Sequence, residues 1–156
     1  MVSGFVSKIG KGKIVFIEEN TKVNAKVYQE TLKKHLPLIR KLSGTRKNTL
    51  QDGARNHTAQ STINFLENSV PDYIEKECWP ANSCNLNPLD YGIWGIMENS
   101  AYGKRKRYDN IDELKAGVRN AWKEIKQVTI NKIIDQWRNR LQQVVENNGG
   151  HIEQYH

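Results

Sequence analysis

Cysteine, proline and long apolar runs are scarce in this chain of 156 residues, and each scarcity removes a class of protein. Two cysteines, Cys78 and Cys84, are too few for a disulfide-stapled scaffold. No His or Cys accompanies them at zinc-ligand spacing, so a zinc site is not expected and the thiols are read as reduced. No stretch approaches the roughly 20 consecutive apolar residues that a membrane helix needs. The opening residues 1–17 are interrupted by Lys8, Lys11 and Lys13, unlike a signal peptide. Low-complexity linkers and internal repeats are also missing, so one soluble, intracellular domain over residues 1–156 is expected.

Acidic residues are in deficit. Seventeen Asp and Glu face 24 Lys and Arg, a net charge of +7, and the isoelectric point is near 9.4 at a mean hydropathy of -0.73. Such a balance favours a polyanionic partner through release of condensed counterions, and nucleic acid heads that class.

Short β-branched runs over residues 2–9 and 14–17 flank Gly10, Lys11, Gly12 and Lys13, and read as a hairpin with a glycine-containing turn. Val23, Val27, Leu32, Leu36 and Ile39 then recur at near-helical spacing, with Asn24 as an N-cap and Pro37 as a kink or end. Residues 49–52 read as a strand delivering Asp52 to its carboxyl end. A short helix over 58–68 and a strand over 73–79 complete a βαβ-like rhythm. Pro88 belongs to the first turn of another helix, where a missing N–H costs nothing. Two amphipathic patterns close the chain, one over 111–125 and one over 130–145 ended by Gly149 and Gly150. The sum is an α/β domain with a mixed sheet and a helical C-terminal part.

Two carboxylates stand out against this frame. Asp52 lies in Gln51-Asp52-Gly53-Ala54-Arg55-Asn56-His57 at a strand end, and Asp90 opens a helix after Trp79-Pro80-Ala81-Asn82-Ser83-Cys84-Asn85-Leu86-Asn87-Pro88-Leu89. Both positions border the crevice in which open α/β sheets bind ligands. Their hard oxygens suit magnesium or manganese. Taken alone, however, Asp before Gly is an ordinary turn residue, and Asp in a first helical turn favours the macrodipole without any chemistry.

The wording of these segments is more specific than their spacing. Asp52-Gly53-Ala54 with His57-Thr58-Ala59, then Trp79-Pro80, Asn82-Ser83, Leu86-Asn87-Pro88 and Asp90-Tyr91, resembles the mariner branch of the Tc/mariner transposases. The likeness extends to the strand Val15-Phe16-Ile17-Glu18, to Asn24 and Tyr28, and to the terminal helices. It implies a ribonuclease H-like mixed sheet with flanking helices, and cut-and-paste DNA transposition by three carboxylates holding two divalent metals. Asp52 matches the second carboxylate and Asp90 the third, with 37 residues between them. The first carboxylate is expected in a strand before the opening hairpin, and the family's N-terminal DNA-reading region before that; neither has a counterpart here. Arg55, Ala81, Cys84 and Asn85 also depart from the family's prolines and aspartate, which loosens the second loop and removes a charge from it.

The resemblance therefore implies a degenerate or truncated catalytic domain that binds Mg2+ or Mn2+ weakly, cleaves DNA poorly, and forms a marginal monomer or a homodimer. Its alternative is a domesticated, non-catalytic nucleic-acid- or protein-binding module. His57 either contacts a phosphate or packs as an ordinary loop histidine. Lys104, Arg105, Lys106 and Arg107 form the densest basic run; they serve as a DNA-backbone contact and nuclear address, or as a solvated interhelical loop. Trp94, Trp122 and Trp137 fall on apolar helical faces and are assigned to the core.

Overall fold

The computed structural model describes residues 1–43, 54, 57–69, 78–80, 83–103, 107–150 and 152. The chain opens with four short strands: β1 (Val2–Ser3), β2 (Val6–Ser7), β3 (Gly10–Lys11) and β4 (Val15–Phe16). They form one antiparallel ribbon in two ladders, Val2 opposite Phe16 and Val6 opposite Lys11. Two residues separate the ladders on the first arm and three on the second, so the second arm carries a bulge, a device that bends and twists a ribbon. The glycine-containing turn expected at residues 10–13 is not the reversal. The chain reverses at Lys8 and Ile9, and Gly10 pairs with Ser7. The glycines serve close approach instead: a Cβ on Gly12 would lie 2.3 Å from the Phe5 ring.

Helix α1 (Ala25–Ser43) follows. Asn24 Oδ1 accepts the Val27 amide at 3.1 Å, the N-cap its side chain suits. Pro37 lies within the helix and does not end it. One face of α1 meets the ribbon, where His35 is buried against the edge of Phe5 and Leu42 packs under Gly10. A second face meets α2 (Gln60–Ser69) through buried Leu36 and Leu66.

The main core forms where the ribbon lies on the helices α3 (Trp94–Tyr102), α4 (Ile111–Glu124) and α5 (Gln127–Asp135). Ile93, Met97, Ala101, Ala121, Trp122, Ile125, Ile130 and Ile133 are its buried members, with Val2, Val6 and Ile14 of the ribbon against them. Trp122 joins the layers: its indole N–H donates to the Gly12 carbonyl at 2.7 Å. The Lys11 ammonium then caps the C-terminal carbonyls of α4, at 2.5 Å from Trp122 O and 3.1 Å from Lys123 O, and also meets Ile125 O. Burial lowers the Lys11 pKa.

The long closing helix expected over 130–145 is two helices. Gln136 donates to Ile133 O, three residues back, a tightened turn that separates α5 from α6 (Trp137–Glu146). The break sends Ile130 and Ile133 into the main core and Val144 into a second cluster with Trp79, Leu86 and Ile152. At the end of α6 two consecutive residues take positive φ, Asn148 at 51° and Gly149 at 83°. The bonds Gly149 N to Val144 O and Asn148 N to Val145 O complete the cap.

Trp122 is a core residue as expected, Trp94 is half-buried beside it, and Trp137 is half-buried with no hydrogen-bond partner for its indole nitrogen. The strand expected to deliver Asp52 lies outside the described residues, as does most of the strand expected at 73–79. Cys78 and Trp79, at the end of the latter, are not extended. Among the described residues no helix is long and apolar enough to cross a membrane.

Candidate active site

The turn bearing Asp90 is built from its neighbours inward. Cys84–Leu86 forms a tight helical turn closed by Leu86 N to Ser83 O and Asn87 N to Cys84 O. Asn87 then acts as the cap of the next helix. Its side-chain oxygen accepts the Leu89 amide at 3.1 Å, and its carbonyl accepts Asp90 N at 2.9 Å and Tyr91 N at 3.0 Å. Pro88 sits at φ -55°, preset for the first turn as its ring requires.

Leu89–Ile93 is a single wide turn in which the Trp94 amide reaches back five residues to Leu89 O. Such π turns inside helices concentrate at functional sites because they re-aim side chains. Here the result is an exposed Asp90 beside a half-buried Tyr91. Asp90 is also near the helix N-terminus, where partial positive charge favours a carboxylate on its own account.

What holds this turn in place comes from far along the chain. Leu86 is 1% exposed and, with Trp79, packs on Val144 and Leu141 of α6. The Tyr91 hydroxyl donates to the Ile133 carbonyl of α5 at 2.6 Å, and Gly92 leaves no room for a Cβ against Ile133. The Arg140 guanidinium lies 4.0 Å from the centre of the Tyr91 ring and donates to Asn85 O at 3.3 Å. One cation thus spans both ends of the motif, by cation–π attraction at one and a charge-assisted hydrogen bond at the other. Burial pushes the Tyr91 pKa up to about 12, against the opposing effect of Arg140, so the phenol remains a donor throughout the physiological range.

The other expected site residues divide by location. The His57 ring stacks on Tyr28 of α1 at 3.9 Å between centroids and 29° between planes, and Ala54 O accepts the amides of His57 and Thr58. The stack ties the segment that follows Asp52 to α1. Arg107 is exposed ahead of α4. Asp52, Lys104, Arg105 and Lys106 lie outside the described residues. Sequence reading missed Arg140 and the Tyr91 hydroxyl as supports of the motif. Arg140 carries no local signal, since its partner Asn85 is 55 positions away.

No protein-family profile matches the chain. Among curated proteins it is 29% identical over 153 residues to the transposable element Tc3 transposase of Caenorhabditis elegans, covering 97% of this chain and 45% of that protein. It is 30% identical over 99 residues to the Tc1 transposase of the same organism, covering 64% of this chain and 34% of that one. The chain therefore spans less than half the length of these relatives. Among solved structures, the Mos1 transposase catalytic domain with raltegravir and Mn superposes at a TM-score of 0.83 and 19% identity, over 97% of this chain and 76% of that one. The Mos1 strand transfer complex superposes at 0.78 and 22% identity, over 97% and 43%. Sequence similarity to Tc3 and Tc1 and the ribonuclease H-like fold shared with Mos1 agree with the motifs around Asp52 and Asp90: this chain is similar to the Tc/mariner transposases and has the fold of the Mos1 catalytic domain.

Proposed function

We propose that this transposase-derived domain serves metal-dependent cleavage and transfer of DNA strands, with Asp52 and Asp90 as carboxylate ligands of Mg2+ or Mn2+. The observation that carries the reading is the preset turn of Asp90. A carboxylate needed only for helix stability would not require Asn87, Tyr91 and Arg140 to fix its surroundings from three directions. Among the described residues no group of three or more His, Cys, Asp or Glu assembles for a metal; Asp90 contributes one hard, exposed oxygen donor, and Asp52 is assigned from the family motif. When bound, such an ion activates a water or a 3′-hydroxyl and stabilises the leaving oxygen.

The protein's own part is orientation. Asn87 and Pro88 fix the start of the helix, Arg140 fixes the loop before it, and the charge-free Tyr91 phenol anchors the side facing the core. Phosphate contacts are assigned to the basic run Lys104, Arg105, Lys106 and Arg107, and to His57 at the end of the Asp52 segment. The nucleus is the compartment in which this activity meets its substrate, and a homodimer is the proposed assembly. With two carboxylates identified in these 156 residues, metal binding and cleavage by this chain alone are expected to be weak.

Nicking of supercoiled plasmid in Mg2+ or Mn2+ tests the reading. The expected result is slow nicking that chelation removes and that Asp52→Asn and Asp90→Asn each abolish. DNA binding with no metal-dependent nicking would instead establish the non-catalytic, domesticated module.

A further inference from the structure

The structure assigns a second DNA-binding surface to the outer face of α1, remote in sequence from the basic run at 104–107. The inference rests on the DNA reading above and specifies where a duplex lies. Helix α1 carries five basic residues, Lys26, Lys33, Lys34, Arg40 and Lys41, against one acid, Glu30, so four of the seven net charges of the chain belong to this element.

At ~100° per residue, Lys26, Lys33, Lys34 and Lys41 fall within about 100° of arc. All four are exposed, and His35, which faces the ribbon, is roughly opposite the stripe. Among the described residues none of the four makes an ion pair, not even with Glu30 at helical spacing. Arg40 is already committed to the Ser69 carbonyl, and the Lys33 ammonium is stationed 5.7 Å from the centre of the Phe65 ring. The like charges of the stripe are adjacent or seven or more residues apart, and Glu30, at helical spacing from Lys26, Lys33 and Lys34, is the one acid among them. The stripe thus keeps an excess positive charge that a polyanion would neutralise.

The stripe runs about 22 Å along the helix, a length comparable to roughly six phosphates of one strand of B-DNA. Fixed on a helix that packs against both the ribbon and α2, it is rigid enough to follow a regular backbone, which distinguishes a duplex from a disordered acidic tail. Contacts of this kind bind without reading sequence.

Fluorescence anisotropy with a labelled 25-base-pair duplex of arbitrary sequence, titrated across salt concentrations, tests the assignment. The α1 variant is Lys26→Gln with Lys33→Gln, Lys34→Gln and Lys41→Gln. Its control is Lys123→Gln with Lys126→Gln, Lys132→Gln and Arg138→Gln, which removes equal charge from exposed positions on α4, α5, α6 and the α4–α5 junction. Each lost phosphate contact should reduce the slope of log affinity against log salt by about 0.9. The expected result is a reduction of about 3 in the α1 variant and under 1 in the control, with the four Lys→Arg changes restoring the native slope. Glu30→Gln should tighten binding at low salt. Equal reductions in variant and control would overturn the α1 assignment while leaving DNA binding intact. An unmutated chain with no salt-dependent affinity would overturn both it and the DNA reading. Displacement of the duplex by polyglutamate as readily as by unlabelled DNA would make an acidic protein the occupant instead. Circular dichroism of each variant confirms the fold; should the quadruple α1 variant unfold, Lys26→Gln with Lys34→Gln, which disturbs no ring contact, is expected to show about half the effect.

Discussion

The opening ribbon and the turn carrying Asp90 are both short, irregular segments docked on helices, and they are held by different physics. The ribbon is fastened to the largest apolar core through Trp122, a 4% exposed indole that also donates to Gly12 O. The Asp90 turn bridges two clusters, with Ile93 buried in the main core and the preceding Leu86 in the smaller cluster of Trp79, Val144 and Ile152, and it is fixed in addition by directional contacts: the Asn87 cap, the Tyr91 hydroxyl and the Arg140 bridge. Apolar burial is large and tolerant of small displacements, whereas hydrogen bonds and ring stacking are individually modest and specify position. The molecule thus divides folding from placement of its carboxylate. Substitutions in the two regions should have separable effects.

The largest effect is expected from Trp122→Ala, which removes a core indole and leaves the Gly12 carbonyl without its donor. A loss of about 3–5 kcal/mol in urea unfolding is expected. A loss under about 1 kcal/mol would show that the ribbon does not depend on this anchor. Next come Arg140→Ala and Tyr91→Phe, each expected to cost about 1 kcal/mol of global stability. Their larger consequence is local: amide hydrogen exchange over residues 84–91 should accelerate at least tenfold while α4 remains protected. Uniform acceleration across both regions would erase the distinction.

The smallest effect concerns pH. His35 is buried beneath the ribbon with Ser3 Oγ 3.5 Å from its Nε2. Burial first, and Lys34 second, hold its pKa below the ordinary 6.5. The folded state therefore disfavours the charged ring. Its contribution to stability is fully present above pH 6.5 and is lost as pH falls through that value toward the lowered folded pKa. The melting temperature should drop between pH 7.5 and 5, and His35→Gln should shrink that drop. An identical drop in the variant would remove His35 from the explanation.

The same division governs how much could be read from the sequence. Helices α1 to α4 follow from apolar periodicity, and the Asn24 cap and the first-turn place of Pro88 from the chemistry of those residues, because all of these are local. The reversal at Lys8 and Ile9 was misplaced because glycine was read as turn freedom, when Gly12 is needed for room beside Phe5. The break at Gln136 was hidden inside an unbroken apolar pattern, since both halves are amphipathic and only their targets differ. The place of Asp90 in a first helical turn was legible from Pro88 just before it. The clamp on Asp90's turn was not, because Arg140 and Ile133 reach it across 55 and 42 positions.

The proposed sharing of a divalent ion between Asp52 and Asp90 is open to direct measurement by paramagnetic broadening of backbone NMR signals with substoichiometric Mn2+. Selective broadening at Asp90 and its immediate neighbours is expected, and Asp52→Asn should greatly weaken it. Broadening that spares Asp90, or that persists there unchanged in Asp52→Asn, would contradict that sharing.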